Sequence, residues 1–167
     1  MAFKVGDKVV YPSQGAGKID EITKRQVLGT EHEYLKIVFV RGDMEVLVPL
    51  KKGQEVGLRL TIGENELAKI METIRRADLA LPEQWPPRFR AEQDILARAN
   101  PYELSKLIGV LAFRDLEKGL AATEREVHEN AKDMLSSELA VVQDISLEAA
   151  KAQINDFIEA NISLDEA

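Results

Sequence analysis

The feature that most constrains this chain is a change in hydrophobic period near residue 60. Before it, short runs of β-branched and aromatic residues alternate with turn residues. Lys8-Val9-Val10-Tyr11 runs into Pro12-Ser13-Gln14-Gly15, and Gly17 to Ile22 resumes in partial alternation until Gly29 breaks the next run. Glu33 to Phe39 reads as a strand, Arg41-Gly42-Asp43 as a turn, and Met44 to Val48 alternates until Pro49 stops it. About five strands in some sixty residues predict a small, strongly bent antiparallel barrel of the SH3 or Tudor kind. After Arg59 the period becomes 3.6: Leu67, Ile70, Met71 and Ile74 form one apolar stripe on a helix over 64–77. The expected fold class is therefore α+β in two domains, a Tudor/SH3-like five-stranded β-barrel over 1–60 and a compact all-helical domain over 61–167.

The helical part announces itself by caps as well as period. Pro86 and Pro87 suit a first turn, which needs no backbone donors, and open a helix to about Arg98. Asn100-Pro101 supplies a preferred cap and a proline at the first helical position, with Leu104, Leu107, Ile108 and Leu111 as the stripe leading to Gly119. Thr123 with Glu126 reads as a capping box for a helix to about Val142, and Ser146 caps a last helix with Ala149, Ile154 and Ile158 inside. Five helices are expected, and the polar end from Ser163 to Ala167 is read as frayed.

Composition then removes function classes. A 45% hydrophobic and 31% charged chain can bury a core, which argues against disorder. With no cysteine, disulfides, thiolate nucleophiles and cysteine-ligated metals are excluded. The opening MAFKVGDKVV lacks a basic segment leading into an apolar run, and no stretch of about 18 apolar residues occurs, so the reading is cytoplasmic with no membrane contact. His32 and His128 fall in different domains without metal-ligand spacing and read as surface residues, while Gly15-Ala16-Gly17 reads as a hairpin turn because it leads into a strand. The pairs Asp20/Glu21, Asp43/Glu45 and Glu124/Glu126 lack calcium-loop spacing and read as solvated charge. Neither a catalytic constellation nor a metal or cofactor site is expected.

The net charge of −7 is unevenly spread. Residues 1–59 carry ten Lys/Arg against eight Asp/Glu, whereas residues 91–167 carry seven against sixteen. Arg75, Arg76, Arg88 and Arg90 make the middle of the chain locally basic, so contact with nucleic acid belongs there. The only tryptophan, Trp85, stands in the same stretch, Leu81-Pro82-Glu83-Gln84-Trp85-Pro86-Pro87-Arg88-Phe89-Arg90. Two readings stay open. Trp85 packs as a plug between helices, or it serves as an aromatic wedge beside cationic phosphate contacts.

The string Phe3-Lys4-Val5-Gly6-Asp7-Lys8-Val9-Val10-Tyr11-Pro12, with Gly15, resembles the opening of CarD/CdnL proteins, whose first domain is similar to the polymerase-interacting domain of the transcription-repair coupling factor. The resemblance continues through Glu33-Tyr34-Leu35, Val48-Pro49 and Val56 to Arg59, then Pro82, Trp85, Arg88, Phe89 and Arg90, and finally Arg114 to Leu120.

That resemblance implies a non-enzymatic bacterial transcription factor without cofactors, acting as a monomer. Its barrel would dock through a strand edge on the lobe/protrusion region of the RNA polymerase β subunit, in holoenzyme with the primary sigma factor. Arg25, Val27 and Leu47 match the polymerase-contact positions, although the family often carries arginine where this chain has Leu47. Trp85 would touch promoter DNA at the upstream fork of the open bubble, with Arg88 and Arg90 on backbone phosphates, positioning without reading sequence. Pro87 replaces a second basic residue frequent beside that tryptophan. The competing reading is a Tudor/SH3-like adaptor that binds protein without DNA contact.

Overall fold

The computed structural model describes residues 3–12, 14–42, 44–53 and 55–164, so the turns expected at Ser13 and Asp43 and the tail from Asp165 fall partly or wholly outside the described residues. The element order is β1 (Lys8–Tyr11), β2 (Gly15–Val27), β3 (Thr30–Phe39), β4 (Glu45–Pro49), β5 (Arg59–Leu60), then α1 (Leu67–Arg76), α2 (Trp85–Arg98), α3 (Pro101–Lys118), α4 (Ala122–Gln143) and α5 (Leu147–Asn161). The strands form one antiparallel sheet in the order β4-β3-β2-β1-β5. This is the expected α+β arrangement.

β2 and β3 are longer than the apolar pattern shows. Their far halves, Thr23 to Val27 and Thr30 to Glu33, are polar and lie beyond the core, so no alternation marks them. A two-residue turn joins them, with Leu28 at φ 54° and Gly29 at φ 80°. Two successive positive φ values match the right-handed twist of the strands, and glycine adopts the second without strain. A bulge between Ile19 and Glu21 bends β2 and resets its register against β3.

Neighbouring residues of β1 enter different cores. Val9 joins Phe3, Ile19, Leu35, Ile37, Phe39, Val48 and Leu58 on the inner face. Val10 and Ala16 turn the other way, into the helical core built on Ile70, Ile74, Leu104, Leu107, Ile108, Leu111, Leu135, Leu139 and Ile154. Each fully buried leucine or isoleucine there contributes about 1.5–3 kcal/mol by leaving water. The sheet and the helices are thus packed together, with α4 lying on β2.

Polar contacts fix this packing. The Ala16 amide donates to Ser137 Oγ at 3.0 Å, and the Ser137 hydroxyl donates to the Met134 carbonyl at 2.6 Å. A Cβ on Gly15 would stand 2.7 Å from Ser137 Oγ, so a side chain there would push α4 off the sheet. Glu138 accepts from both Arg59 Nη atoms at 2.9 and 2.8 Å and from the Ile62 amide at 2.9 Å. Lys8 and Lys18 reach Asp144 at the end of α4, at 3.4 and 2.9 Å.

The helix starts agree with the caps at two places and differ at one. Asn100 Oδ1 accepts from the Tyr102 and Glu103 amides, and Ser146 Oγ from that of Ala149. Ala150 rather than Ala149 joins Ile154 in the core. The capping box expected at Thr123 and Glu126 does not form: α4 begins at Ala122 behind Ala121, with no side-chain cap. Glu124, which falls in this first turn, points inward instead, because tertiary partners described below hold its carboxylate.

Candidate functional site

Trp85 is the first residue of α2, with Pro86 and Pro87 behind it in a turn that needs no donors. Trp85 is 37% exposed, which makes it neither a plug nor a free side chain. Phe89, one turn on, packs beside it with ring centroids 5.2 Å apart at 39°. The Arg88 guanidinium lies 5.1 Å from the ring centroid, within cation–π range.

Arg88 departs from the expectation of an open phosphate contact. It is only 8% exposed and its donors are committed inward. Nε donates to Glu124 Oε2 at 3.0 Å, Nη2 to Glu124 Oε1 at 3.5 Å and Nη1 to the Glu83 carbonyl at 2.6 Å. The reason is helical spacing: Arg88, Glu92 and Ile95 occupy one buried stripe of α2, so the arginine faces α4. Arg90 is exposed and takes no ion pair among the described residues. At about 100° per residue it stands roughly 140° around the helix from Trp85, so the two do not share one spot.

Around Arg88 lies a buried charge cluster that the solvated-charge reading of Glu124 missed. Glu124 is 2% exposed and also meets Arg114 at 3.4 Å. Glu92 is fully buried, 3.9 Å from Arg88, and no donor reaches either of its oxygens. Burial first, then the neighbouring Glu124 carboxylate, pushes the Glu92 carboxyl up to about 8, so at neutral pH it keeps its proton. Burial works against ionisation of Glu124 too, but the neighbouring Glu92 carboxyl and the Arg88 guanidinium outweigh it and hold that carboxyl below the usual range. A signal for this existed in the sequence. Glu124, Val127, His128, Ala131 and Leu135 repeat at core spacing along α4, which charge alone disguised.

His128 on that stripe corrects a second expectation. It is 6% exposed rather than a surface residue, and burial, assisted by Lys132, pushes its imidazole down to about 4, so it stays neutral at physiological pH. His32 is exposed on β3.

In the sheet, the β2–β3–β4 register places Arg25, Val27 and Leu47 on one outer face together with Thr23, Tyr34, Lys36 and Pro49. All three are exposed. Leu47 pairs through Lys36 to Glu21, four residues from Arg25, so strand spacings separate Leu47 from Arg25 by roughly 16 Å. β4 is also a sheet edge. The Phe39 amide donates to the Met44 carbonyl, and antiparallel alternation then turns the backbone groups of Glu45 and Leu47 away from β3, toward the open side. A partner strand could pair there.

Among the described residues no grouping of His, Asp and Glu could hold a metal ion, and no helix is long and apolar enough to cross a membrane. Comparison with known proteins gives two family matches in chain order. The CarD-like/TRCF RID domain matches residues 3–60, the sheet, and the CarD C-terminal domain matches residues 69–155, from α1 into α5. A Bacillus subtilis (strain 168) protein described as "Putative transcription factor YdeB" is 29% identical over 152 residues, covering 90% of this chain and 98% of that protein. The helical match alone spans more than half of the sequence, and with the sheet matched in the right order before it, the chain belongs to the CarD family.

Proposed function

We propose that this transcription regulator is tethered to RNA polymerase by residues 1–60 and stabilises the promoter open complex through residues 61–167, with Trp85 at the upstream edge of the bubble. The observation that carries the reading is the half-exposed Trp85 ring, braced by Phe89 and Arg88 at the tip of α2, in a chain whose first sixty residues match a polymerase-interacting domain family. The outer face with Arg25, Val27 and Leu47 and the open edge of β4 serve as the surface for the β subunit. A strand-edge contact depends mainly on backbone groups, so leucine at position 47 is compatible with it.

A ring that fits unstacked DNA and not the closed duplex binds the open state better, and only such differential affinity shifts the equilibrium. About 1.4 kcal/mol changes the open-to-closed ratio tenfold. Arg90 is the phosphate contact, positioning without reading sequence, while Arg88 supports the ring. The acidic helices add little affinity for free DNA; the tether to polymerase supplies effective concentration instead.

The test is the lifetime of open complexes on a promoter with an unstable bubble, without protein, with the wild type and with Trp85→Ala. A longer lifetime that is lost in Trp85→Ala while β-subunit binding persists is the expected result. An unchanged lifetime despite polymerase binding removes the wedge, and absence of polymerase binding removes the tether.

A further inference from the structure

The proposed wedge uses the Trp85 ring but gives no task to the charges buried behind it. Four ionisable side chains from three helices meet there: Arg88 and Glu92 from α2, Arg114 from α3 and Glu124 from α4. Arg88 is the link to the ring. One side of its guanidinium is fixed on Glu124, 36 residues away in sequence. Another nitrogen holds the Glu83 carbonyl, two residues before Trp85, and its cation lies against the indole. The arginine therefore spans from α4 to the point where the chain enters α2.

A buried guanidinium stays in place only while it is paired. Remove the Glu124 charge and Arg88 gains by turning toward water, which takes away both the cation under the indole and the bond to Glu83. Of these two braces only Phe89 would then stay against the ring. Among the described residues the other carboxyl beside Arg88 is that of Glu92, which lies farther away, at 3.9 Å against 3.0 Å.

We propose that Glu124 is a positioning residue for Trp85, acting through Arg88, and that the buried Glu92 carboxyl makes the pose of the ring sensitive to alkaline pH. When Glu92 ionises, the cluster gains a second carboxylate that competes with Glu124 for Arg88 and draws it deeper, away from the indole. Arg114 and Glu124 are the charged groups facing Glu92 from α3 and α4, and Arg88 the one from its own helix. The part of this inference that concerns DNA rests on the wedge reading above, whereas the part that concerns the ring does not.

The experiment exploits Trp85 as the sole tryptophan. Its emission maximum and acrylamide quenching are measured in the full chain for the wild type, Glu124→Gln, Glu124→Asp and Glu92→Gln, with helix content and cooperative melting followed alongside. Glu124→Gln is expected to shift the emission to the red and increase quenching with the helices intact, and Glu124→Asp to restore part of the wild-type signal. Titration from about pH 6.5 to about pH 9.5 is expected to move the wild-type signal with a midpoint near 8 and to leave Glu92→Gln flat.

On polymerase, Glu124→Gln is expected to shorten the open-complex lifetime by roughly threefold or more at unchanged β-subunit binding. Unchanged quenching in a folded Glu124→Gln overturns the inference, as does a lifetime that drops in Trp85→Ala but not in Glu124→Gln. A lifetime insensitive to Trp85→Ala overturns the wedge and leaves the fluorescence arms to judge the positioning role. Should Glu124→Gln fail to fold, a wild-type signal that is flat across the titration, or one that still moves in Glu92→Gln, overturns the inference.

Discussion

Replacing Glu138 by alanine tests the claim that the sheet and helices act as one unit. This carboxylate is 2% exposed and accepts three bonds, two from Arg59 on β5 and one from the Ile62 amide on the way to α1. Arg59 Nη2 also donates to the Ala99 carbonyl at 2.9 Å, so the one carboxylate ties α4, β5 and the end of α2. Breaking a fully buried pair from one side costs about 3–5 kcal/mol, because the partner is left without a counterion. Here the Arg59 side chain is 33% exposed and water can reach it, which brings the expected loss down to about 2–3 kcal/mol. For a chain of this size that corresponds to a melting temperature lower by roughly 5–10 °C. Urea unfolding at neutral pH measures it, with Glu138→Gln falling between alanine and the wild type because it keeps an acceptor but not the charge. A loss under about 0.5 kcal/mol would refute the reasoning, since it would mean that the desolvation of Glu138 cancels everything the three bonds return.

Gly109→Ala should gain about 1 kcal/mol of helix propensity and lose more than that, about 2 kcal/mol net, because the new Cβ would sit 2.1 Å from the Ile74 carbonyl oxygen and α1 would have to shift; chemical denaturation showing a stabilised variant would contradict this. The folded-state His128 imidazole titrates near 4 against an unfolded value of 6.5, so the stability that its neutral form contributes is present above pH 6.5 and is lost as pH falls toward 4. At pH 5 the loss amounts to about 2 kcal/mol, and His128→Gln should remove most of the stability difference between pH 7 and pH 5; an unchanged difference rules the histidine out. Leu28 is fully exposed at φ 54°, a conformation that disfavours leucine and that asparagine tolerates, so Leu28→Asn should gain about 0.5–1 kcal/mol, and thermal melts showing no gain would count against strain at the turn.

Patterns that are local in the chain are legible in the sequence. The switch of period near residue 60 marks where strands give way to helices, because side-chain direction repeats every two residues in one and every 3.6 in the other. Asn100-Pro101 and Ser146 mark helix starts because capping is settled within three residues. Helix ends are harder to read. α1, α2 and α4 close on the left-handed residues Ala77, Ala99 and Asp144, none of them a glycine that would signal a stop.

Local pattern accounts for the order and type of the elements, for a single tryptophan ahead of two arginines, and for a resemblance that the family matches bear out. Where charge is stored depends instead on how the helices pack. Arg88, Glu92 and Glu124 are ordinary surface residue types; the four-residue spacing puts Arg88 and Glu92 on one face of α2, but nothing near them shows that Glu124 meets them. They are buried because α2, α3 and α4 bring opposite charges from distant positions to one place, where each removes the cost of burying the other. The same holds for Val10 and Ala16, whose strand alternation gives them a face but not the helix that covers it. Periodicity shows that a face is to be buried; the partner that buries it is a property of the whole chain.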